Sequence, residues 1–206
     1  MNNNNITYIS KNFTGEIKEY YKNGNLKFEG KYLKWRKWDG KGYDIFGELA
    51  YEIKEGKGLI KEYLKDEGKK IIFEGEYLNG ERSGKGKEYS IINSCLIFEG
   101  EYLNGKKNGK GKEYYYGNKS IIYEGEYLNG ERHWKGKCYY DGILEFEGEY
   151  LYGYKLRGKS YYEKKLEYEG EFLFNKKWNG KGYDKNGNII YELINGKIKK
   201  MVMIII

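Results

Sequence analysis

The stretch "FEGEYLNGERSGKGKEY", residues 73–89, contains the pattern that decides the fold. Aromatic and charged residues alternate with a period of two in its first half, which is typical of a β-strand with one buried face. Asn79 and Gly80 follow, and Asn-Gly is a strong signal for a tight hairpin turn. The alternation then resumes, so the stretch is predicted to form a β-hairpin.

The same pattern recurs along almost the whole chain of 206 residues. Successive copies begin 22 to 25 residues apart, and the second copy is degenerate while the last is truncated. The predicted fold class is therefore all-β, an elongated single-layer antiparallel sheet of about seven tandem β-hairpin repeats. The opening aromatic residues are Phe28, Tyr51, Phe73, Phe98, Tyr123, Phe146, Tyr168 and Tyr191.

The limits of the repeats divide the chain into three segments. Residues 1–12 are predicted to be a flexible N-terminus, 13–197 the repeat array, and 198–206 an apolar C-terminal tail. The tail is far shorter than the roughly 20 apolar residues that span a bilayer. The first ten residues lack the charged and apolar regions of a signal peptide.

The alternating charges also predict the register of the hairpin at 73–89. One alignment places glutamates opposite lysines on one face and an aromatic ring over a glycine on the other. The predicted cross-strand pairs are Tyr77 with Gly84, Glu76 with Lys85, Gly75 with Gly86, and Glu74 with Lys87.

Composition excludes several classes of partner and chemistry. The formal net charge is +7, but basic and acidic residues alternate, so no focused field for nucleic acid is predicted. Cys95 and Cys138 form neither a disulfide framework nor a metal motif, which indicates a reducing, cytoplasmic compartment. His133 is the single histidine and stands at a turn position of its repeat. We therefore predict no enzyme activity, no cofactor and no metal.

The second aromatic residue of each repeat allows two interpretations. These side chains form the hydrophobic core, or they form a stripe on the open face of the sheet that binds a partner. The sequence leaves both interpretations open. The residues concerned are Tyr77, Tyr102, Tyr127, Tyr150 and Phe172.

Two copies, "YEGEYLNGERHWKGK" at 123–137 and "FEGEYLNGKKNGKGK" at 98–112, resemble the MORN (membrane occupation and recognition nexus) repeat. The family pattern is Tyr-x-Gly-x-Trp, a glycine-containing turn and Gly-x-Gly, and this chain has Tyr or Phe in place of the Trp. The stretch at 15–33, "GEIKEYYKNGNLKFEGKYL", also resembles the variant found in YwqK-type antitoxins. The resemblance implies a β-hairpin array that is often dimeric and serves as a scaffold.

Three functions are consistent with these observations. The first is a non-catalytic repeat scaffold for protein–protein interaction or self-assembly, with a homodimer among the expected states. The second is a peripheral membrane adaptor that binds anionic phospholipid through the basic charge and the apolar tail. The third is a toxin-neutralising, antitoxin-like protein.

Overall fold

The structure, a computed structural model, describes residues 12–64 and 70–201, and it describes the backbone alone for residues 200 and 201. All 17 regular elements in these ranges are β-strands. The chain divides into two compact units, Met1–Ser94 and Cys95–Ile206. The predicted all-β fold of tandem antiparallel hairpins is confirmed.

Within residues 12–64 and 70–94, the first unit has seven strands. Strands β1 to β4 form one four-stranded antiparallel sheet in sequence order. Strand β6 pairs with β5 on one side and with β7 on the other. The seven strands are β1 (Gly15–Tyr20), β2 (Leu26–Leu33), β3 (Arg36–Tyr43), β4 (Leu49–Ile53), β5 (Gly58–Tyr63), β6 (Ile71–Leu78) and β7 (Glu81–Tyr89).

Residues 95–201 form the ten strands of the second unit, and their order in the sheet follows the sequence. They are β8 (Leu96–Leu103), β9 (Lys106–Tyr114), β10 (Ile121–Leu128), β11 (Glu131–Tyr140), β12 (Ile143–Leu151), β13 (Tyr154–Tyr162), β14 (Lys165–Leu173), β15 (Lys176–Tyr183), β16 (Ile189–Ile194) and β17 (Lys197–Met201). The last strand therefore includes part of the predicted tail at 198–206. Residues 1–11 and 202–206 lie outside the described residues.

The predicted register of hairpin β6–β7 is correct at the base of the hairpin. Glu74 lies opposite Lys87, and Gly75 lies opposite Gly86. The same pairing recurs in β8–β9, where Glu99 faces a lysine and two glycines face each other. The alternation of charges and glycines was therefore enough to align this half of the repeat.

Near the turn of β6–β7 the predicted register is wrong. Tyr77 lies opposite Arg82 and not opposite Gly84, and the predicted pair of Glu76 with Lys85 is not part of the ladder. The physical reason is a β-bulge, in which Gly84 adopts a φ of +92° and the second strand contains extra residues. Three residues, Ser83 to Lys85, face the single residue Glu76, and an excess of two residues keeps the phase of the alternation, so the sequence pattern does not reveal the bulge.

In each full hairpin two glycines lie directly opposite each other, one on each strand. In β10–β11, Gly125 lies opposite Gly136, and a Cβ atom on Gly136 would lie 2.6 Å from Cζ of Tyr123. Tyr123 is fully buried, so its ring lies directly over the glycine pair. The space left by glycine is thus filled by the first aromatic residue of the repeat. The prediction had assigned it to the second, Tyr77.

We expect Gly136→Ala to destabilise the protein by about 2 kcal/mol, because the added methyl group overlaps a buried ring. Gly117→Ala is the matched control, since its Cβ would meet only the exposed Tyr115 side chain, at 3.0 Å. Urea unfolding followed by circular dichroism measures both variants. Equal midpoints for the two variants would show that the glycine pair does not limit packing.

The degenerate repeat at Tyr51 interrupts the sheet that the sequence predicted to be continuous. Strands β4 and β5 belong to different sheets, and a single bridge between Lys54 and Lys57 joins them at their turn. In this copy Ile53 and Ile60 replace the two glycines of the full repeat, and both side chains are buried. Two branched side chains do not allow the close approach that a glycine pair allows, so the strands separate.

Candidate functional site

The structure places the five predicted stripe residues in the core. Tyr102, Tyr127, Tyr150 and Phe172 are buried, and Tyr77 is half-buried. Of the two interpretations left open by the sequence, these positions favour the hydrophobic core. A partner would therefore contact other residues of the chain.

In the second unit the buried rings pack edge to face in an alternating series. The centre of the Tyr127 ring lies 5.2 Å from that of Phe98 and 5.5 Å from that of Tyr123. Phe172 packs in the same way between Phe146 and Tyr168, at 5.3 Å from each. Edge-to-face contact is a favoured geometry of aromatic pairs, so each repeat is held by its neighbour.

A basic side chain from the second strand of each hairpin covers these rings. The guanidinium carbon of Arg132 lies 4.3 Å from the centre of the Tyr123 ring. Lysines take the same place over Phe146 and Tyr168, at 4.8 and 5.4 Å. The aliphatic stems and the cations shield the aromatic core of a one-layer sheet from water.

A carboxylate joins this arrangement in three hairpins among those for which the described residues give the contacts, and we call each set a Glu–Tyr–cation cluster. In the second unit, the Tyr127 hydroxyl donates a hydrogen bond to Glu113 Oε1 at 2.7 Å, and Arg132 Nη2 lies 2.5 Å from Glu113 Oε2. In the first unit, the Arg82 guanidinium donates two hydrogen bonds of 2.8 Å to one carboxylate. The clusters are Glu113–Tyr127–Arg132, Glu62–Tyr77–Arg82 and Glu19–Tyr32–Lys37.

The electrostatics of these clusters follow from burial and from their partners. Hydrogen bonds from Arg132 hold the pKa of Glu113 below its usual value despite burial, which opposes this shift. Arg82 acts in the same way on the pKa of Glu62. Burial raises the pKa of the Tyr127 hydroxyl, and the nearby Glu113 charge adds to the effect. Glu62 and Glu113 are therefore ionised at physiological pH, and Tyr77 and Tyr127 are neutral.

A cavity of about 470 Å3 lies in the first unit, beside the interruption between β4 and β5. Lys37 is the central polar group: its Nζ atom lies 3.3 Å from Glu19 Oε2 and donates a hydrogen bond of 3.1 Å to the Tyr51 hydroxyl. Burial lowers the pKa of Lys37. The sequence did not predict this site. Its six tyrosines are Tyr21, Tyr32, Tyr43, Tyr51, Tyr63 and Tyr77.

In the second unit, three exposed aromatic residues have a backbone conformation that bulky residues rarely adopt. Trp134, Tyr152 and Phe174 have φ values of +53°, +48° and +48°. Their side chains are 49%, 63% and 70% exposed. A positive φ is a genuine outlier for bulky residues and costs free energy. We call these three residues and Tyr154 the aromatic turn edge, since they lie at or beside the hairpin turns.

Contacts join the members of the aromatic turn edge in two groups. The His133 ring lies 4.8 Å from the Trp134 ring and 5.3 Å from the Tyr152 ring. The Tyr154 and Phe174 rings are 5.7 Å apart, edge to face. His133 is buried within β11, so its predicted turn position is wrong.

A comparison between repeats would have revealed these residues in the sequence. Trp134 stands where the two preceding copies have Gly84 and Gly109, and both glycines also have positive φ. Tyr152 stands at the place of Asn129 in the Asn-Gly turn. The informative signal is a bulky residue at a position where the repeat otherwise uses a residue that tolerates positive φ.

Other candidate chemistry is sparse in the part of the chain that the structure describes. Cys95 and Cys138 are free thiols. The described side chains contain no group of three or more residues able to hold a metal ion. A helix able to cross a membrane is likewise absent from the described ranges.

Comparison with known proteins gives no family. No protein-family model matches the chain, and no curated protein matches it. The fold and the repeated hairpins define its class, a tandem β-hairpin repeat protein. The resemblance to the MORN repeat stays a prediction from the sequence.

Proposed function

We propose that the protein is a non-catalytic repeat scaffold that binds a protein partner through the aromatic turn edge. The observation that carries this proposal is the exposure of Trp134, Tyr152 and Phe174 in strained backbone positions. Strain of this kind persists where the residue has a function that offsets its cost to stability. Exposed Trp and Tyr are also the residues most enriched among the energetic centres of protein interfaces.

A second copy of this chain is the partner that best fits the edge. Tyr152 and Phe174 occupy equivalent turns of successive hairpins, so the apolar groups follow the spacing of the repeats. Two copies related by a two-fold axis present identical spacings to each other, which lets the same ring contacts form twice. The MORN resemblance also implies a dimer.

The test is the double variant Tyr152→Asn/Phe174→Asn, which introduces the usual turn residue at both positions. We expect size-exclusion chromatography with light scattering to give a dimer of the 24.4 kDa chain for the wild type and a monomer for the variant. The variant should also be more stable, by on the order of 1 kcal/mol per site, since Asn tolerates positive φ. A gain in stability together with a loss of association would show that the strained backbone at these two residues serves dimer formation.

Tyr140→Ser/Tyr162→Ser is the matched control. Both side chains are exposed aromatics, 73% and 68%, at the opposite ends of the strands, and their removal should leave the dimer intact. A monomeric wild type, or a dimeric Asn variant, would overturn self-association through this edge. A monomer that sediments with phosphatidylserine vesicles would instead support the membrane adaptor, because interfacial Trp and Tyr suit the headgroup region. The antitoxin-like function stays a prediction.

A further inference from the structure

The tyrosine-lined cavity of the first unit is a second candidate site, independent of the aromatic turn edge. It exists because Ile53 and Ile60 replace glycines and separate β4 from β5. Its volume of about 470 Å3 falls within the range of small-molecule sites, roughly 300 to 1,000 Å3. This is also the place where the repeat pattern is broken, and the residues that line the cavity come from the copies on both sides of the degenerate repeat.

Two of the four cations that line the cavity are paired with carboxylates of the same lining. Lys37 contacts Glu19, and Arg36 Nη2 lies 2.5 Å from Glu81 Oε1. A charged ligand that binds Lys37 or Arg36 would have to separate these pairs at a cost in desolvation. A hydroxyl group both donates and accepts hydrogen bonds, so it can lie beside such a pair, accept from the cation and donate to the carboxylate.

The rim supplies an apolar surface next to this polar wall. Trp35 is 43% exposed and has a φ of +64°, at a turn position that Gly80 and Gly105 occupy in later repeats. It lines the cavity together with Tyr63. A flat ring beside paired donors and acceptors matches the two sides of a sugar ring, whose C–H face is apolar and whose edge has hydroxyl groups.

We propose that this cavity binds a neutral sugar of one or two pyranose rings. The sugar packs its C–H face on Trp35, and its hydroxyl groups bind to Lys37, Glu19 and Tyr51. The site binds the sugar and catalyses no reaction on it. Lys27 and Lys61 also line the cavity, so inorganic phosphate is the appropriate competing probe.

The experiment is a titration of the full chain, followed by saturation-transfer NMR and calorimetry. The probes are glucose, galactose, mannose, N-acetylglucosamine, maltose and cellobiose, with inorganic phosphate as the anion. We expect at least one sugar to saturate the protein below about 10 mM. Trp35→Gly should weaken that binding at least tenfold, and Tyr51→Phe should weaken it severalfold through the lost hydroxyl.

Tyr140→Ser is the control, because it removes an exposed aromatic side chain that lies outside both the cavity and the aromatic turn edge. It should leave sugar affinity unchanged. The proposal is overturned if no sugar binds, if phosphate binds in place of every sugar, or if the Trp35 and Tyr140 variants lose affinity equally. The dimer measurement on the aromatic turn edge is unaffected by these results, so the two proposals fail separately.

Discussion

The protein is expected to unfold cooperatively as the pH rises from about 10, where an unperturbed tyrosine loses its proton, to about 12. The chain has 25 tyrosines, and many of those described have a raised pKa. Burial and a hydrogen bond to Glu124 raise the pKa of Tyr139 to about 12. Burial and a hydrogen bond to Glu147 raise the pKa of Tyr161 to about 12 as well. Burial also raises the pKa of Tyr123 and Tyr127.

The sign of this effect follows from proton linkage. A tyrosine whose pKa is higher in the folded state keeps its proton there after the unfolded chain has lost it. Its stabilising contribution is therefore complete below about pH 10 and is lost as the pH rises toward the folded pKa. For a buried ring such as Tyr123 or Tyr127, the loss is about 1.4 kcal/mol for each pH unit in this window. A few such groups remove a total stability of roughly 5 to 15 kcal/mol.

Two signals recorded in one titration measure this prediction. Tyrosinate absorbance in the ultraviolet reports deprotonation, and far-ultraviolet circular dichroism reports the sheet. We expect the two curves to coincide, with a midpoint above the value of free tyrosine. Absorbance that rises near pH 10 while the sheet remains intact would mean that the hydroxyl groups are solvated in the folded protein.

The repeated hairpin was predictable because its determinants are local. Alternation places Phe73 and Tyr77 on one face, Asn79 and Gly80 form the turn, and the glycines align the strands. Each of these features depends on residues within one repeat of 22 to 25 residues. The bulge at Gly84 escaped prediction, since it depends on a φ value that the sequence pattern does not fix.

The candidate sites were not predicted, for a different reason. The cavity combines Lys37 of one hairpin with Tyr51 of the next, and it exists only because two strands separate. Contacts across repeats of this kind have no signature within a single copy. The aromatic turn edge is a departure from the repeat, whereas the aromatic positions that recur in the full copies include Tyr127 and Tyr150, which are core residues.

Removal of the cation from a Glu–Tyr–cation cluster should be among the most destabilising single changes. We expect Arg132→Ala to cost about 2 to 4 kcal/mol, because it leaves the Glu113 carboxylate buried without its cation. The Glu113 and Arg132 side chains are only 21% and 28% exposed, so water replaces the lost partner poorly. The arginine also covers the Tyr123 ring, and this packing is lost with it. Urea unfolding at neutral pH measures the change.

Arg157→Ala is the matched control for an exposed pair. Arg157 donates two hydrogen bonds of 3.0 Å to Glu149, but its side chain is 65% exposed, so its removal should barely move the urea midpoint. Equal losses for the Arg132 and Arg157 variants would show that burial of the pair has no energetic consequence.

Later repeats show how the cluster can be replaced and supply the decisive double variant. Ser160 stands at the place of Glu113, and Lys177 at the place of Arg132. Because Glu113→Ser/Arg132→Lys removes the buried carboxylate and keeps a flexible cation that reaches water, it should cost less than Arg132→Ala alone, which leaves the carboxylate without its partner. Acid should act in the same direction: as the pH falls below about 4.3, Glu113 begins to gain its proton in the unfolded chain. The advantage of the wild type over Arg132→Ala should then shrink toward the packing contribution of the arginine. If the difference in unfolding free energy between the wild type and Arg132→Ala stays constant from neutral pH to about pH 3, the whole effect comes from packing over Tyr123.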